Sequence, residues 1–241
     1  MSQLPPDYFD LTREAVAHYW RTLELQKGKQ GIGDRGHRAA VTGGKQMNGF
    51  CHLITELLQQ NGLEKEHIHI EKKLELPGYF RPTKKWDMVV LFEERLVAAL
   101  EFKSMAGSFG NNFNNRAEEA LGAGIDVKMA ASKGAFGRDS RPWLGWLMLL
   151  EDSRKSTTPV SVKEPHFKVL PEFQGKSIAG RFELLLRKLV NEELFSAAAL
   201  LMSSREAGQT GQYTEPVKDL AMRQFLSSLS GHVQRFRTQL R

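Results

Sequence analysis

A single cysteine, Cys51, stands in a chain of 241 residues. That excludes an internal disulfide and any zinc site built from several cysteines. Set in Phe-Cys-His-Leu-Ile, it reads as a buried core thiol. No apolar run reaches the roughly 18 residues of a membrane span; the longest, Pro142 to Leu150, is strand-sized. The N-terminal Met-Ser-Gln-Leu-Pro-Pro-Asp-Tyr has neither the basic region nor the apolar stretch of a signal peptide. A soluble cytoplasmic protein with no membrane role is therefore expected. There is no internal repeat and no low-complexity tract. Gly43-Gly44-Lys45 is followed by Gln46, which breaks the Walker A pattern.

What the chain does carry is a basic excess: 34 Lys and Arg against 28 Asp and Glu, a formal charge of +6. A polyanionic partner suits that balance without being identified by it. The length allows a sizeable core and a single domain over 1–241.

Leu11 to Lys27 has helical spacing. Gly28 to Gln46, rich in glycine and basic residues such as Lys29, Arg35 and Lys45, is expected to be a loop or arm. Two readings of it stand, a phosphate-contacting arm and an unliganded surface loop. Met47 to Gln60 predicts a helix with Phe50, Leu53, Ile54, Leu57 and Leu58 as its apolar stripe, ended by Asn61-Gly62. Glu56 lies beside that stripe, either a solvated glutamate or a third acid for a metal. From His67 the alternation predicts a strand ending at Pro77-Gly78, with His67 and His69 on its polar face. Trp143 to Leu150 reads as a central strand, and Ile178 to Met202 and Val217 to Leu240 as long helices, so that 178–241 is a helical part.

The most informative stretch runs from Asp87 to Lys103. Two apolar runs surround Glu93-Glu94-Arg95, which reads as a β-hairpin. With Glu94 at the tip, Phe92 faces Leu96 and Asp87 faces Glu101. Opposed residues lie roughly 4.5–5.5 Å apart at Cβ, close enough for two carboxylates to share a divalent cation. Lys103 follows on the same face by the two-residue period. Without a cation the acids repel. With Mg²⁺ between them they form a site for phosphodiester hydrolysis, with Lys103 on the attacking water or the developing charge. The alternative is an ordinary charge cluster at a hairpin end. Beyond it come Asn111, Asn112, Asn114, Asn115 and Arg116, with a helix expected to begin near Asn114 and run through Ala117, Ala120 and Leu121. Such residues contact base edges and phosphates, and asparagines also cap helices; both roles stay open.

Trp86-Asp87, Glu101-Phe102-Lys103 and Gly110-Asn-Asn-Phe-Asn-Asn-Arg-Ala-Glu-Glu-Ala-Leu-Gly122 together resemble the XhoI-like type II restriction endonucleases of the PD-(D/E)xK superfamily. Trp86 stands where the superfamily pattern has proline. The resemblance implies an α/β fold, with a mixed central β-sheet flanked by helices and extra C-terminal helices. It implies Asp87, Glu101 and the Phe102 backbone carbonyl as Mg²⁺ ligands and Lys103 as the catalytic lysine. It also implies a homodimer on double-stranded DNA, cleavage of the palindrome CTCGAG to give four-base 5′ overhangs and 5′-phosphates, and a cognate DNA methyltransferase as genetic partner. The rival expectations are a structure-specific or repair nuclease of the same superfamily and a non-catalytic basic DNA-binding protein.

Overall fold

The computed structural model describes residues 4–30, 45–137 and 140–239. A five-stranded sheet carries the fold, in the spatial order β1 (Ile68–His69), β4 (Met88–Phe92), β5 (Arg95–Met105), β6 (Trp143–Glu151), β7 (Ala197–Ser203). β1, β4 and β5 run antiparallel to one another, whereas β5, β6 and β7 are parallel. A separate two-stranded hairpin, β2 (Glu75–Pro77) and β3 (Thr83–Lys85), precedes β4.

Parallel neighbours need crossovers, and helices supply both. α3 (Phe109–Ser132) links β5 to β6, and α4 (Ile178–Asn191) links β6 to β7. The sheet is stepped through twice in the same direction, so right-handed connections put both helices on one face. The apolar contacts agree: Phe113, Val127, Phe182 and Leu186 pack with Val89, Ala99, Trp146, Met148 and Leu200. The opposite face carries α1 (Tyr8–Gln30), α2 (Asn48–Gln60) and α5 (Met222–Gln239), through Trp20, Phe50, Ile54, Phe225 and Leu229 against Val90, Leu100, Leu147 and Leu201. The result is the expected mixed α/β architecture, three layers deep. No helix among the described residues is long and apolar enough to cross a membrane.

α2 buries the predicted stripe, and Gly62 follows it at φ +85°. Cys51 is buried, and burial pushes its thiol up to about 12. Trp143–Glu151 is an interior strand between β5 and β7. Several expectations are corrected. α1 continues past Lys27 to Gln30, because one internal glycine costs a long helix only about 1 kcal/mol. Of the expected arm, residues 31–44, Arg35 among them, lie outside the described residues, and Lys45–Met47 is a 3₁₀ turn leading into α2. The alternating segment from His67 is two short strands in different sheets, separated by a bend with Lys73 at φ 57°. His67 belongs to the preceding 3₁₀ turn, where its Nδ1 accepts from the Glu64 N–H.

The largest correction lies in 178–202. Helix α4 ends at Asn191, the chain reverses through Glu193 at φ 54°, and Ala197–Ser203 is the fully buried edge strand β7. Ala-Ala-Ala-Leu-Leu-Met favours a helix locally, but pairing along β6 and burial on both faces outweigh that preference. The C-terminal part is thus not wholly helical; it completes the sheet before α5.

Candidate active site

β4 and β5 meet in a two-residue turn, Glu93-Glu94, with both residues in the left-handed region at φ 48° and 62°. That is the type I′ geometry of tight hairpins. Phe92 pairs with Arg95 and Leu91 with Leu96, one residue out of the expected register. A bulge then skips Val97, so that Val90 faces Ala98 and Met88 faces Leu100. The paired register ends there, and Asp87, one residue before β4, donates its N–H to Leu100 O at 3.2 Å. The two local departures cancel over the paired residues, and Lys103 joins the two acids by bonding to both.

Alternation points Glu101 and Lys103 toward the face that carries α3 and α4, together with Ala99 and Met105. The β2–β3 hairpin lies over this face through Leu74, Leu76 and Trp86. Beneath it the Glu101 side chain is only 3 % exposed, while that of Asp87 is 39 % exposed and opens to the cleft. Lys103 Nζ donates to Glu101 Oε2 and, at 3.3 Å, to Asp87 Oδ2. The same Asp87 oxygen accepts the Phe102 N–H at 2.8 Å, which fixes the carboxylate relative to β5.

Burial pushes the Glu101 carboxyl above the usual carboxylate range, against the pull of Lys103. For Lys103, burial alone favours the neutral form, but the charges of Glu101 and Asp87 outweigh it and raise the ammonium above its ordinary value. Sequence reading missed a fourth member, Lys84 on β3, whose Nζ donates to Glu101 Oε1 and, at 3.1 Å, to Lys85 O. Lys84 also sits 4.2 Å over the Trp86 ring, and Lys103 5.7 Å over that of Trp146. Lys84 lies three residues from Asp87, but hydropathy alternation does not show which way a short hairpin folds.

The cleft in front of the pair is lined by Lys45 and Gln46 from the 3₁₀ turn before α2, by Asn48 at its start, by Lys85, Asp87, Lys103 and Ser104, and by Arg116 from α3. Gln46 Nε2 donates to Ser104 Oγ at 3.3 Å, joining the 3₁₀ turn before α2 to β5 at the rim. Helix α3 begins at Phe109, not near Asn114, so the asparagines occupy its first two turns. Of these, Asn112 faces a neighbouring groove with Tyr19, Gln46 and Ser104. Asn114 and Asn115 are exposed, and Phe113 between Asn112 and Asn114 is buried against Phe182. Arg116 lines both grooves; it pairs with Glu119 at 2.5 Å and keeps a buried Nε without a partner among the described residues. Glu56 sits on α2 more than a turn beyond Cys51, and no third acid, His or Cys joins Asp87 and Glu101 among the described residues. A larger cavity, about 840 Å³ against about 510 Å³ for the cleft, lies at Leu144 and Phe195 and contains none of these groups.

Comparison with known proteins decides the family. The model of the family "Restriction endonuclease XhoI" matches residues 26–215, which include both strands of the acid-bearing hairpin and all of α3. The chain belongs to the XhoI restriction endonuclease family. It is 50 % identical over 212 residues to the type II restriction enzyme BstVI of Geobacillus stearothermophilus, covering 85 % of this chain and 95 % of that protein. It is 44 % identical over 189 residues to the type II restriction enzyme XhoI of Xanthomonas vasicola, covering 76 % of each. The type II restriction enzyme AbrI of Azospirillum brasilense is 48 % identical over 167 residues, 67 % of this chain and 75 % of that protein. No solved structure matches. As a member of this family of enzymes the chain is a type II site-specific deoxyribonuclease, which sets aside the reading as a non-catalytic DNA-binding protein.

Proposed function

We propose that the chain hydrolyses double-stranded DNA at the palindrome CTCGAG in a Mg²⁺-dependent reaction, leaving four-base 5′ overhangs with 5′-phosphates. The observation that carries the chemistry is the convergence of Asp87 and Glu101 on Lys103, which bonds to both. The target is carried by the likeness to the XhoI family alone.

The donor set fits a hard divalent cation: the carboxylates of Asp87, just before β4, and Glu101 on β5, with the carbonyl of Phe102, next to Glu101 in the chain, as a third oxygen. When bound, Mg²⁺ supplies a Lewis acid for the scissile phosphate and a lowered pKa for water. Asp87, exposed to the cleft, and Glu101, buried behind it, would hold the cation. Lys103 orients the attacking water and stabilises the charge that builds on the non-bridging oxygens. Water attacks phosphorus in line, the bond from phosphorus to O3′ breaks, and the 5′-phosphate stays on the other fragment without a covalent enzyme intermediate. Arg116, whose Nε has no partner among the described residues, Lys45 and Asn48 flank the cleft where the backbone would run. Asn112, Asn114 and Asn115 at the head of α3 would contact DNA beside them, and the proposed DNA contacts include Asn111, Lys29 and Arg35.

A two-fold dimer is the natural reader of a two-fold site. A methyltransferase for the same sequence would protect the host. The testing experiment uses purified protein with Mg²⁺, a plasmid bearing one CTCGAG, and its partner with one base pair changed. Linear product from the first alone is expected, since each bidentate pairing with a base is worth about 1–3 kcal/mol of discrimination. Cutting of both plasmids would return the reading to a structure-specific or repair nuclease.

A second expected result concerns the basic arm. Replacing Lys27, Lys29 and Lys45 with Gln should flatten the slope of log affinity against log salt by about 0.9 for each phosphate that the arm no longer neutralises. Fluorescence anisotropy on labelled duplex with Ca²⁺ in place of Mg²⁺ measures it, and an unchanged slope removes the arm from the interface.

A further inference from the structure

Glu101 is gripped from both sides. Lys103 holds Oε2 along β5, and Lys84, from a strand that does not belong to the main sheet, holds Oε1. Both lysines are largely buried, with side chains 14 % and 19 % exposed for Lys84 and Lys103. Two acids and two lysines cancel, so the cluster is formally neutral. A neutral cluster draws a divalent cation weakly, and a lysine on Glu101 Oε1 competes for the oxygen that the cation needs. One DNA phosphate at the cleft mouth would add the missing negative charge beside Asp87 and Lys103.

We propose that Lys84 is a positioning residue of the cleavage site: it holds Glu101 in its inward pose in the DNA-free enzyme and keeps cation affinity low until a phosphate is bound. Its place in the fold supports this. β3 lies immediately before Asp87 in the chain, and Trp86 between them is buried with its ring under the Lys84 ammonium. Any shift of the β2–β3 hairpin on DNA therefore moves the cationic partner of Glu101 and the ligand Asp87 together.

The inference rests on the metal-assisted reading of the site, and the test separates the two. Ca²⁺ binding to the full-length protein is measured by isothermal titration calorimetry, with and without a CTCGAG duplex. In the DNA-free protein, Lys84→Gln should bind Ca²⁺ about ten-fold more tightly than wild type, while Lys84→Arg should match wild type. With duplex present the gap should shrink to less than about three-fold, since phosphate then balances the lysine. Lys84→Met keeps the stem over Trp86 without the charge and carries the same prediction should the Gln variant not fold. Equal or weaker Ca²⁺ binding by the folded neutral variants overturns the role of Lys84. No Ca²⁺ uptake by wild type on duplex, with Asp87→Ala indistinguishable from it, overturns the metal reading instead.

Discussion

Asp87→Asn should abolish cleavage of the CTCGAG plasmid, by about 10³-fold or more, while leaving the fold intact. The size follows from what the side chain supplies. On the proposed mechanism it is the exposed carboxylate that would hold the cation, and a cation-stabilised phosphoryl transition state is worth several kcal/mol, each 1.36 kcal/mol being about ten-fold. The fold is spared because Asp87 is 39 % exposed and the amide can still accept the Phe102 N–H. Lys103→Ala should reduce activity to a similar degree. It should also destabilise the protein, since Glu101 would keep only Lys84 as a cationic partner in a buried place. Single-turnover cleavage in matched Mg²⁺, alongside thermal melts, reads both effects. Wild-type rates from folded Asp87→Asn would remove it from the mechanism.

The other large effect is structural. Asp126 of α3 is 2 % exposed and accepts three donors from the β2–β3 turn: the Tyr79 N–H at 2.7 Å, the Phe80 N–H at 2.9 Å and Arg81 Nε at 2.6 Å. The turn is built for this contact. A Cβ on Gly78 would lie 2.6 Å from both Asp126 Oδ2 and Arg81 O, so only glycine fits there. The rings of Tyr79 and Phe80 are left 48 % and 69 % exposed, so the carboxylate, not apolar burial, holds this turn to α3. Asp126→Ala leaves two backbone donors without their acceptor and should cost about 2–3 kcal/mol, or roughly 5–10 °C in melting temperature for a chain of this size.

The pH dependence follows from the sign of the shift at Asp126. Burial alone would raise its carboxyl, but the Phe80 N–H, Arg81 and the Tyr79 N–H together hold it below the ordinary 3.8. A depressed folded value contributes stability that is present above the unfolded value and lost as pH falls through the folded one. Wild type should therefore exceed Asp126→Asn by a constant margin above the ordinary carboxylate range, a margin that narrows as pH falls through the depressed folded value, below 3.8. Urea unfolding across that range measures it. A margin that persists undiminished at low pH would mean that the carboxylate charge is not what clamps the hairpin.

Where local pattern and burial agreed, the sequence was readable. The stripe of α2, the apolar β6 and the two arms of the acid-bearing hairpin each repeat at their own period over enough residues to be seen. The errors sit where long-range pairing overrode local preference. Ala197–Ser203 has the composition of a helix and is a strand because β6 offers an unpaired edge in a buried place. The His67 segment alternates like a strand, yet it divides between two sheets, and alternation cannot show a bend. At the site, the two-residue turn and the bulge at Val97 each departed from the expected register and together restored it.

The sequence by itself determined the acid pair and its lysine, because residues two apart on a strand share a face and a hairpin brings its arms together without help from the rest of the chain. It also carried the asparagine-rich start of α3, through likeness to a family. Only the tertiary structure decided that Lys84 reaches Glu101, that Gln46 and Arg116 form the rim, and that Asp126 holds the hairpin over the site. Those contacts join β3, β5, α3 and the 3₁₀ turn before α2 across 17 to 58 residues of chain. Their partners are chosen by how layers stack, and no local period records that.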